Sequence, residues 1–376
     1  IKKIDFISYF TLLTLIFVNV VFYRIGEHGT DRSAQILLFL IFINFFELVF
    51  RKKNYKIFLN DINLLILIII LASSMKAIYY LYFLIIPFIL IKKKLVFLYL
   101  TKLKFLLLLT FFLSIFSNLL TNYFNTGCLL YPAKVTCIGN PAWQIPKEEV
   151  KKMKIHYEWW AKAGGGPGYR SDIPKEEYVK NFKWLSNWID RHFFNKVSDT
   201  LLGIIFMCLT LVIPLKIFSK KKGSQRIKIP FIIYLIPIFF LIEWFLNHPA
   251  MRYGGYVLFA IPLFMISSSY ASGLNLNLKR ISKIFFSLIV ISIIIFNGRN
   301  IVRINKEIMV YNYDILKSPF FYVFKTNSKI NFEKDDFKIY KPEKGNMCWA
   351  TKTPCTLKDK IKVENFLWMK VVLRDD

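Results

Sequence analysis

One short segment combines three residue types that could handle a phosphorylated substrate. Glu243, His248 and Arg252 lie where a long apolar run ends in Asn-His-Pro, shortly before a Gly-Gly pair. An arginine can bind phosphate or pyrophosphate through two parallel hydrogen bonds, and a histidine can act as acid, base or second donor. We therefore expect Arg252 and Tyr253 to bind substrate, and Glu243 and His248 to be catalytic. The structural alternatives are that Arg252 reaches lipid headgroups and His248 caps a helix end.

Two other short turns carry ionisable groups that could join this segment. The first contains Glu27, His28 and Asp31, and its two carboxylates are candidates for a catalytic base. Lys76 lies between two apolar stretches and is a candidate for binding substrate phosphate. Ionisable groups at a membrane edge are costly, so each is a functional candidate by default. Asp31 could equally cap a helix that begins near Ser33.

Long apolar segments position these residues. The chain has 376 residues, 55% of them hydrophobic, which is typical of an integral membrane protein. A bilayer core of about 30 Å needs roughly 20 helical residues. The sequence predicts an all-α polytopic protein of about nine spans, with the stretch 62–91 forming a hairpin of two short arms that is tilted, broken or re-entrant. The predicted spans are 4–22, 34–50, 62–75, 77–91, 105–120, 200–218, 229–247, 254–272 and 282–298.

The positive charge predicts the orientation of these spans. With the hairpin in place, twenty Lys and Arg residues fall on one side of the membrane. The short turns on the other side hold four, namely Arg24, Arg32, Lys76 and Arg252. The positive-inside rule then predicts a bacterial inner-membrane protein with its N-terminus inside and its C-terminus outside. The net charge of +28 is explained by basic clusters beside the membrane spans, which set the orientation and contact anionic lipid. It does not indicate a nucleic-acid partner.

Two longer segments fall on the predicted outer side. Membrane spans occupy 1–120 and 200–298, so that 121–199 is left as a helical module and 299–376 as a small α/β cap. Within the module, helices are predicted to start near Pro146 and Pro174, because each proline is followed by acidic residues. The second is expected to continue to about residue 194, lying either in the membrane interface or against the other helix.

The cysteines agree with this arrangement. Two pairs lie close in sequence on the predicted outer side, where disulfides persist. The expected pairs are Cys128 with Cys137 and Cys348 with Cys355. No ligand spacing indicates structural zinc. The sequence indicates no certain cofactor and leaves a divalent cation open.

Several motifs together resemble a poorly characterised family of bacterial multi-pass proteins related to GT-C-type glycosyltransferases, which use lipid-linked sugars. The motifs are Gly127-Cys128-Leu129-Leu130-Tyr131-Pro132, Cys137, Pro141-Ala142-Trp143, Trp160-Ala161, His248-Pro249 through Arg252-Tyr253, Cys348-Trp349 and Pro354-Cys355-Thr356. The resemblance implies a polyprenyl-phosphate sugar donor and a glycan or lipid acceptor. It also implies an acidic first-loop motif, which is not visible here and is expected upstream of Ile1. Glu27 and Asp31 are substitutes for it by position only.

These observations predict glycosyl transfer at the outer face of the membrane. A carboxylate would act as base, while Arg252, with Lys76 or His248, would bind the lipid phosphate. An O-antigen polymerase or ligase is a close alternative, because such enzymes also use outer Arg and His residues and a large outer loop. They would need no acidic first-loop motif, which distinguishes them from the first candidate. A non-enzymatic lipid or glycan transporter is a third, with Lys76 in a broken hairpin as its substrate site.

Overall fold

The computed structural model describes residues 5–24, 29–102, 105–163, 173–219, 229–275, 277–317, 326–334, 337–345, 348, 351–359, 361–366 and 369–374. The chain divides into two compact units. The first comprises Ile1–Tyr23, His28–Asn118 and Lys152–Arg299, and the second comprises Arg24–Glu27, Leu119–Lys151 and Asn300–Asp376.

Helices make up most of the described chain. They are α1 (Phe6–Val21), α2 (Asp31–Phe50), α3 (Tyr55–Met75), α4 (Ile85–Lys93), α5 (Val96–Lys102), α6 (Phe105–Thr126), α7 (Lys147–Lys162), α8 (Lys175–Tyr178), α9 (Leu185–Trp188), α10 (Ser198–Ile217), α11 (Phe231–Asn247), α12 (Gly255–Ser272) and α13 (Leu278–Tyr311). Short 3-10 helices at Ala77–Leu84, Lys134–Thr136 and Met251–Tyr253 and a π-helical segment at Ile189–Val197 complete them.

Five described helical stretches are long and apolar enough to cross a membrane. They are α2, α3, the continuous stretch Leu185–Ile217, α12 and α13. Two shorter apolar helices, α1 and α11, accompany them. These helices indicate a membrane protein, whereas nine crossings stay a prediction.

The predicted hairpin differs from expectation in its first arm. That arm begins at Tyr55 rather than 62, because the Asn54 side chain accepts a hydrogen bond from the Lys56 backbone N–H at 3.3 Å and starts α3 earlier. The resulting helix has 21 residues, so the expectation of two short arms was wrong for this one. It ends where Lys76 adopts an extended backbone, and the following 3-10 helix packs against α3.

The core of the first unit is aromatic. Helices α1, α2 and α12 pack together, with α3, α10 and α11 around them. Phe264 of α12 lies at 5.9 Å from Phe17 and 6.2 Å from Phe39, measured between ring centroids, and all three are fully buried. Such ring pairs add to the stabilisation from burial. The packing brings the start of α2 next to the start of α12.

The second unit contains both expected disulfides. Cys128 is bonded to Cys137 and Cys348 to Cys355, which confirms the predicted pairs. Beyond α13, the described residues of the C-terminal segment form two antiparallel hairpins and no helix. These are β1 (Ser328–Lys334) with β2 (Phe337–Pro342), and β3 (Ile361–Phe366) with β4 (Met369–Arg374). The predicted α/β cap is therefore a β region preceded by the long helix α13.

The predicted helices of the outer module have different outcomes. Helix α7 follows Pro146 as expected. The helix expected after Pro174 is interrupted, because Asn181 and Phe182 adopt left-handed backbone conformations with φ of 49° and 58°. Beyond the interruption, α9 and the π-helical segment lead into α10.

Candidate functional site

The turn that carries Arg252 is held by two tryptophans. The Trp188 indole N–H donates to the carbonyl of Pro249 at 2.6 Å, and that of Trp244 donates to the carbonyl of Ala250 at 3.1 Å. Both bonds are buried, where an unpaired carbonyl would be costly. The two tryptophans therefore fix the backbone beside Arg252.

Two glycines end this turn. Gly254 has φ of +121°, a conformation that other residues rarely adopt. At Gly255, an added Cβ would lie 2.6 Å from the Trp244 ring and 2.9 Å from Met251 Sδ. Because neither position tolerates a side chain easily, the Gly-Gly pair allows α12 to begin directly against the tryptophan.

Three predicted site residues meet in one ion cluster. Arg252 donates from Nε to Asp31 Oδ2 at 2.8 Å, and its Nη2 lies 2.6 Å from the same oxygen. Lys76 Nζ forms an ion pair with the other oxygen of the Asp31 carboxylate. The Asp31 side chain is only 15% exposed, whereas that of Arg252 is 47% exposed. Asp31 therefore holds two cations together, and one of them remains open to the surroundings.

Polar contacts between backbone segments fix this cluster. Gln35, almost fully buried in α2, donates from Nε2 to the backbone carbonyl of Arg252 at 3.2 Å. Thr30 donates from its hydroxyl to the carbonyl of Met75 at 3.2 Å. The N-cap position of α2 belongs to Thr30 rather than Asp31, so the capping role considered for Asp31 was wrong. The Asp31 carboxylate instead links the start of α2 to Lys76, which precedes the 3-10 helix Ala77–Leu84, and to Arg252 in the 3-10 helix Met251–Tyr253.

Tyr253 contributes an aromatic surface to the cluster. Lys76 Nζ lies 5.0 Å from the centre of its ring, and Arg252 Cζ lies 5.6 Å from it. Cations above a ring face are attracted by its quadrupole. Burial is the main reason why the pKa of Tyr253 is raised, and nearby Asp31 and Tyr157 act in the same direction while Arg252 opposes them.

His248 lies beside Tyr253, with ring centroids 6.4 Å apart. Burial lowers the pKa of His248, and the positive charges of Lys162 and Lys76 lower it further, against the opposing effect of Glu158. The imidazole is thus favoured in its neutral form, which can accept a proton.

Two charged residues of α7, Glu158 and Lys162, were not among the candidates identified from the sequence. Lys162 is 5% exposed, which is unusual for a lysine. Its Nζ lies 2.5 Å from Glu158 and donates to the carbonyl of Val179 at 3.0 Å, and it sits 5.4 Å from the centre of the Trp184 ring. Their spacing of four residues on a polar helix looks like an ordinary surface pair. Only their electrostatic effect on His248 shows that they lie near the site.

Glu243 lines a narrow cleft together with His248 and Tyr253. One of its carboxylate oxygens accepts a hydrogen bond from Asn247 at 3.1 Å. No direct pair with Arg252 or Lys76 forms, because both contact Asp31. Glu27 and His28, the other residues considered in the first turn, lie outside the described part of the chain.

An apolar groove lies beside α11, closer to the N-terminus of this helix than the cleft. It is lined only by hydrophobic side chains. They are Leu84, Ile85, Phe88, Ile232, Leu235, Ile236, Phe239 and Phe240. Phe240 lines both this groove and the cleft that contains Glu243 and His248. The cleft that contains Glu243 and His248 and the apolar groove therefore share one side chain.

The site contains no evident metal centre in the described ranges. No three His, Cys, Asp or Glu side chains converge there closely enough to hold an ion. What the structure brings together is one carboxylate with two cations, and one carboxylate with one histidine. The first set can bind an anion and the second can accept a proton.

A family model matches the chain over more than half of its length. It is described as a domain of unknown function (DUF8201), and it covers residues 1–259. The matched range includes every residue of the ion cluster and the cleft described above, and it ends within α12. No curated protein matches the chain, and no solved structure does.

Proposed function

The chain belongs to the DUF8201 family, and we propose that it is a membrane glycosyltransferase. In this proposal it moves a sugar from a polyprenyl-phosphate donor to a cell-envelope glycan, lipid or protein at the outer face of a bacterial inner membrane. The observation that supports it most is the Asp31–Lys76–Arg252 cluster, which offers cations to a phosphate at the end of apolar helices.

The charge balance of the cluster favours an anionic ligand. One carboxylate faces two cations, which leaves one positive charge in excess. Lysine and arginine together carry more N–H donors than a single carboxylate can accept. Because Arg252 is half exposed, its remaining donors can reach a phosphate without breaking the contact to Asp31.

The apolar groove supports a lipid-linked donor. A polyprenyl chain needs an apolar surface, and the groove presents one between α11 and the second arm of the hairpin. Phe240 connects that surface to the cleft beneath His248 and Tyr253. In this proposal the donor places its chain in the groove and its phosphate at the ion cluster.

The site residues then divide the chemistry between them. The acceptor hydroxyl attacks the anomeric carbon, and the bond from that carbon to the phosphate oxygen breaks. Arg252 and Lys76 stabilise the negative charge of the departing polyprenyl phosphate. The proton of the hydroxyl passes to Glu243 or His248, which line the same cleft. Asp31 positions the two cations and is not the base in this scheme.

A transfer assay in proteoliposomes tests this function. We expect Arg252→Ala to reduce sugar transfer from a radiolabelled polyprenyl-phosphate donor by about 100-fold or more, which is typical of removing a charge-stabilising donor. The matched control is Arg51→Ala, since Arg51 also pairs with carboxylates but lies at the other end of α2. Full transfer by the Arg252 variant would refute the proposal.

The engagement of Asp31 also favours a second candidate. A carboxylate held by two cations is a poor base, so chemistry centred on Arg252 and His248 alone is consistent with an O-antigen polymerase or ligase. Supplying an oligosaccharide linked to a lipid pyrophosphate distinguishes the two. Chain extension or transfer of the whole oligosaccharide would indicate the second candidate, and transfer of a single sugar from a monophosphate the first.

A further inference from the structure

The turn between α8 and α9 has an unusual backbone. Asn181 and Phe182 both lie in the left-handed region, with φ of 49° and 58°. Asparagine tolerates that region, whereas a bulky aromatic residue there is an outlier. Hydrogen bonds from Lys183 N to Lys180 O at 3.1 Å and from Leu185 N to Phe182 O at 2.9 Å close the turn.

This backbone directs one aromatic ring outwards. Phe182 is 53% exposed, although Tyr178 before it and Trp184 after it are buried. A continuous helix would place Phe182 one turn after Tyr178 on the same face, whereas this turn leaves the Tyr178 side chain buried and the Phe182 side chain exposed. A strained backbone position that exposes a large apolar side chain points to a function for that side chain.

The neighbours of the turn place it level with the end of an apolar helix. The Trp184 ring lies 5.4 Å from the ring of Phe245, which is close to the last residue of α11. The Phe182 ring lies 6.0 Å from that of Trp184. Phe182 thus extends the apolar surface at the height where α11 ends and where an aromatic belt is expected.

The charges around Phe182 complement a lipid surface. Lys180 and Lys183 flank the ring and are both exposed, and Lys183 pairs with Glu177. These three side chains carry one net positive charge. A ring between two lysines is a combination found at membrane interfaces, where the ring enters the headgroup region and the cations meet anionic lipid.

We propose that the turn Lys180–Lys183 is a membrane-surface anchor, with the Phe182 ring inserted into the headgroup region of the adjacent leaflet. The anchor does not depend on the proposed glycosyl transfer. It would also hold α7 in place, because the carbonyl of Val179, next to the turn, accepts the hydrogen bond of Lys162.

Depth measurement by spin labelling tests the anchor. In a Cys208→Ala background, a nitroxide is attached at Phe182→Cys in vesicles of phosphatidylethanolamine and phosphatidylglycerol. Collisions with oxygen and with a water-soluble nickel complex are then compared. The references are Phe206→Cys, an exposed position in α10, and Lys154→Cys, an exposed position on the polar helix α7.

We expect the label at 182 to collide more with oxygen than with nickel, at a depth between those of the two references. Labels at Lys180→Cys and Lys183→Cys should lie shallower, and they provide an independent reading if the Phe182 variant does not fold. A label at 182 as accessible to nickel as that at 154 would overturn the proposal. A label at 182 that is shielded from both reagents would also overturn it, since such a label would be covered by protein. Equal nickel accessibility of the labels at 154, 180 and 183 would overturn it as well.

Discussion

The two ends of α2 carry ion clusters with opposite charge balances. At its C-terminal end, Arg51 contacts Asp5 at 3.0 Å and Glu47 at 2.9 Å, and Lys53 contacts Glu47 at 2.9 Å and Asp61 at 2.5 Å. Three carboxylates there face two cations. At the N-terminal end, one carboxylate, Asp31, faces two cations.

The difference separates a structural cluster from a candidate binding site. The C-terminal cluster has more carboxylates than cations. The Asp5 carboxylate also accepts a bond from the Ser8 backbone N–H at 2.9 Å to cap α1. The N-terminal cluster has more cations than carboxylates, and its arginine is 47% exposed, close to the 42% of Arg51. The two are about 30 Å apart along the helix, which matches the thickness of a bilayer core. Ion pairs alone therefore do not indicate a binding site, and the ratio of cations to carboxylates is more informative.

The largest effect is expected from changing the turn that holds Arg252. In Gly255→Ala, the added methyl group would meet the Trp244 ring at 2.6 Å. We expect a loss of about 1–3 kcal/mol in the free energy of unfolding, as for other overpacked sites, and weakened transfer. Thermal unfolding in detergent measures it. Gly203→Ala is the control, since a Cβ there meets nothing within 4 Å, and equal stability of the two variants would contradict the account.

Removing one lysine from each cluster should separate binding from stability. Lys76→Met leaves Asp31 paired with Arg252 alone and removes the excess charge. We expect affinity for a prenyl phosphate to fall about tenfold, equivalent to roughly 1.4 kcal/mol. Lys53→Met leaves Glu47 and Asp61 without their shared cation, so it should lower stability by about 1–2 kcal/mol and leave affinity unchanged. Titration and unfolding of both variants measure this, and the same pattern in both would remove the distinction.

A smaller effect is expected from the indole that supports the turn. Trp188→Phe removes the hydrogen bond to the Pro249 carbonyl and should cost about 1 kcal/mol of stability. Trp143→Phe is the matched control, because its indole also donates to a backbone carbonyl, that of Tyr123 at 3.2 Å, and both residues belong to the second unit. Both variants should lose similar stability, but only the first should weaken prenyl phosphate binding. An equal loss of affinity in both would show that the effect is not local.

The smallest effect is a difference in pH dependence between the two ends. The folded protein lowers the pKa of His248 below its ordinary value of 6.5, so the unfolded chain binds the proton more readily. The stabilisation from neutral His248 is therefore complete above pH 6.5 and is lost as the pH falls below it. Glu158, which favours protonation, is outweighed by burial and by Lys162 and Lys76.

Asp5 should respond only in stronger acid. Burial raises its pKa, but hydrogen bonds from Ser8 and Arg51 outweigh that effect and lower the pKa below 3.8. Its contribution is present above pH 3.8 and is lost as the pH falls further. Unfolding of His248→Gln and Asp5→Asn between pH 8 and 3 measures both. The first change should flatten the profile just below pH 6.5 and the second only below 3.8, and the reverse order would be inconsistent with these environments.

Local patterns predicted much of the fold. Apolar runs located most of the helices, Pro146 with its acidic neighbours located α7, and the spacing of the cysteines predicted both disulfides. The interruption at Phe182 was not predictable, because helical periodicity continues through a residue whose left-handed backbone is set by its surroundings.

The site was predictable in its members but less so in its contacts. Asp31 and Arg252 are 221 residues apart, and only the packing of α2 against α12 brings them together. The sequence suggested Asp31 as a candidate base, and that role stays a prediction; its contacts to Lys76 and Arg252 depend on the fold and were not predictable. Glu158 and Lys162 had no distinguishing signal, since buried pairs and surface pairs share the same spacing.

The central claim is that the N-terminal end of α2 binds a lipid phosphate and the C-terminal end does not. The most direct measurement is the affinity of a short-chain prenyl phosphate for the protein in nanodiscs, with Arg252→Ala and Arg51→Ala compared side by side. The account predicts a loss of at least about tenfold in affinity for the Arg252 variant and an unchanged affinity for the Arg51 variant. Unchanged affinity in the Arg252 variant, or an equal loss in both, would contradict it.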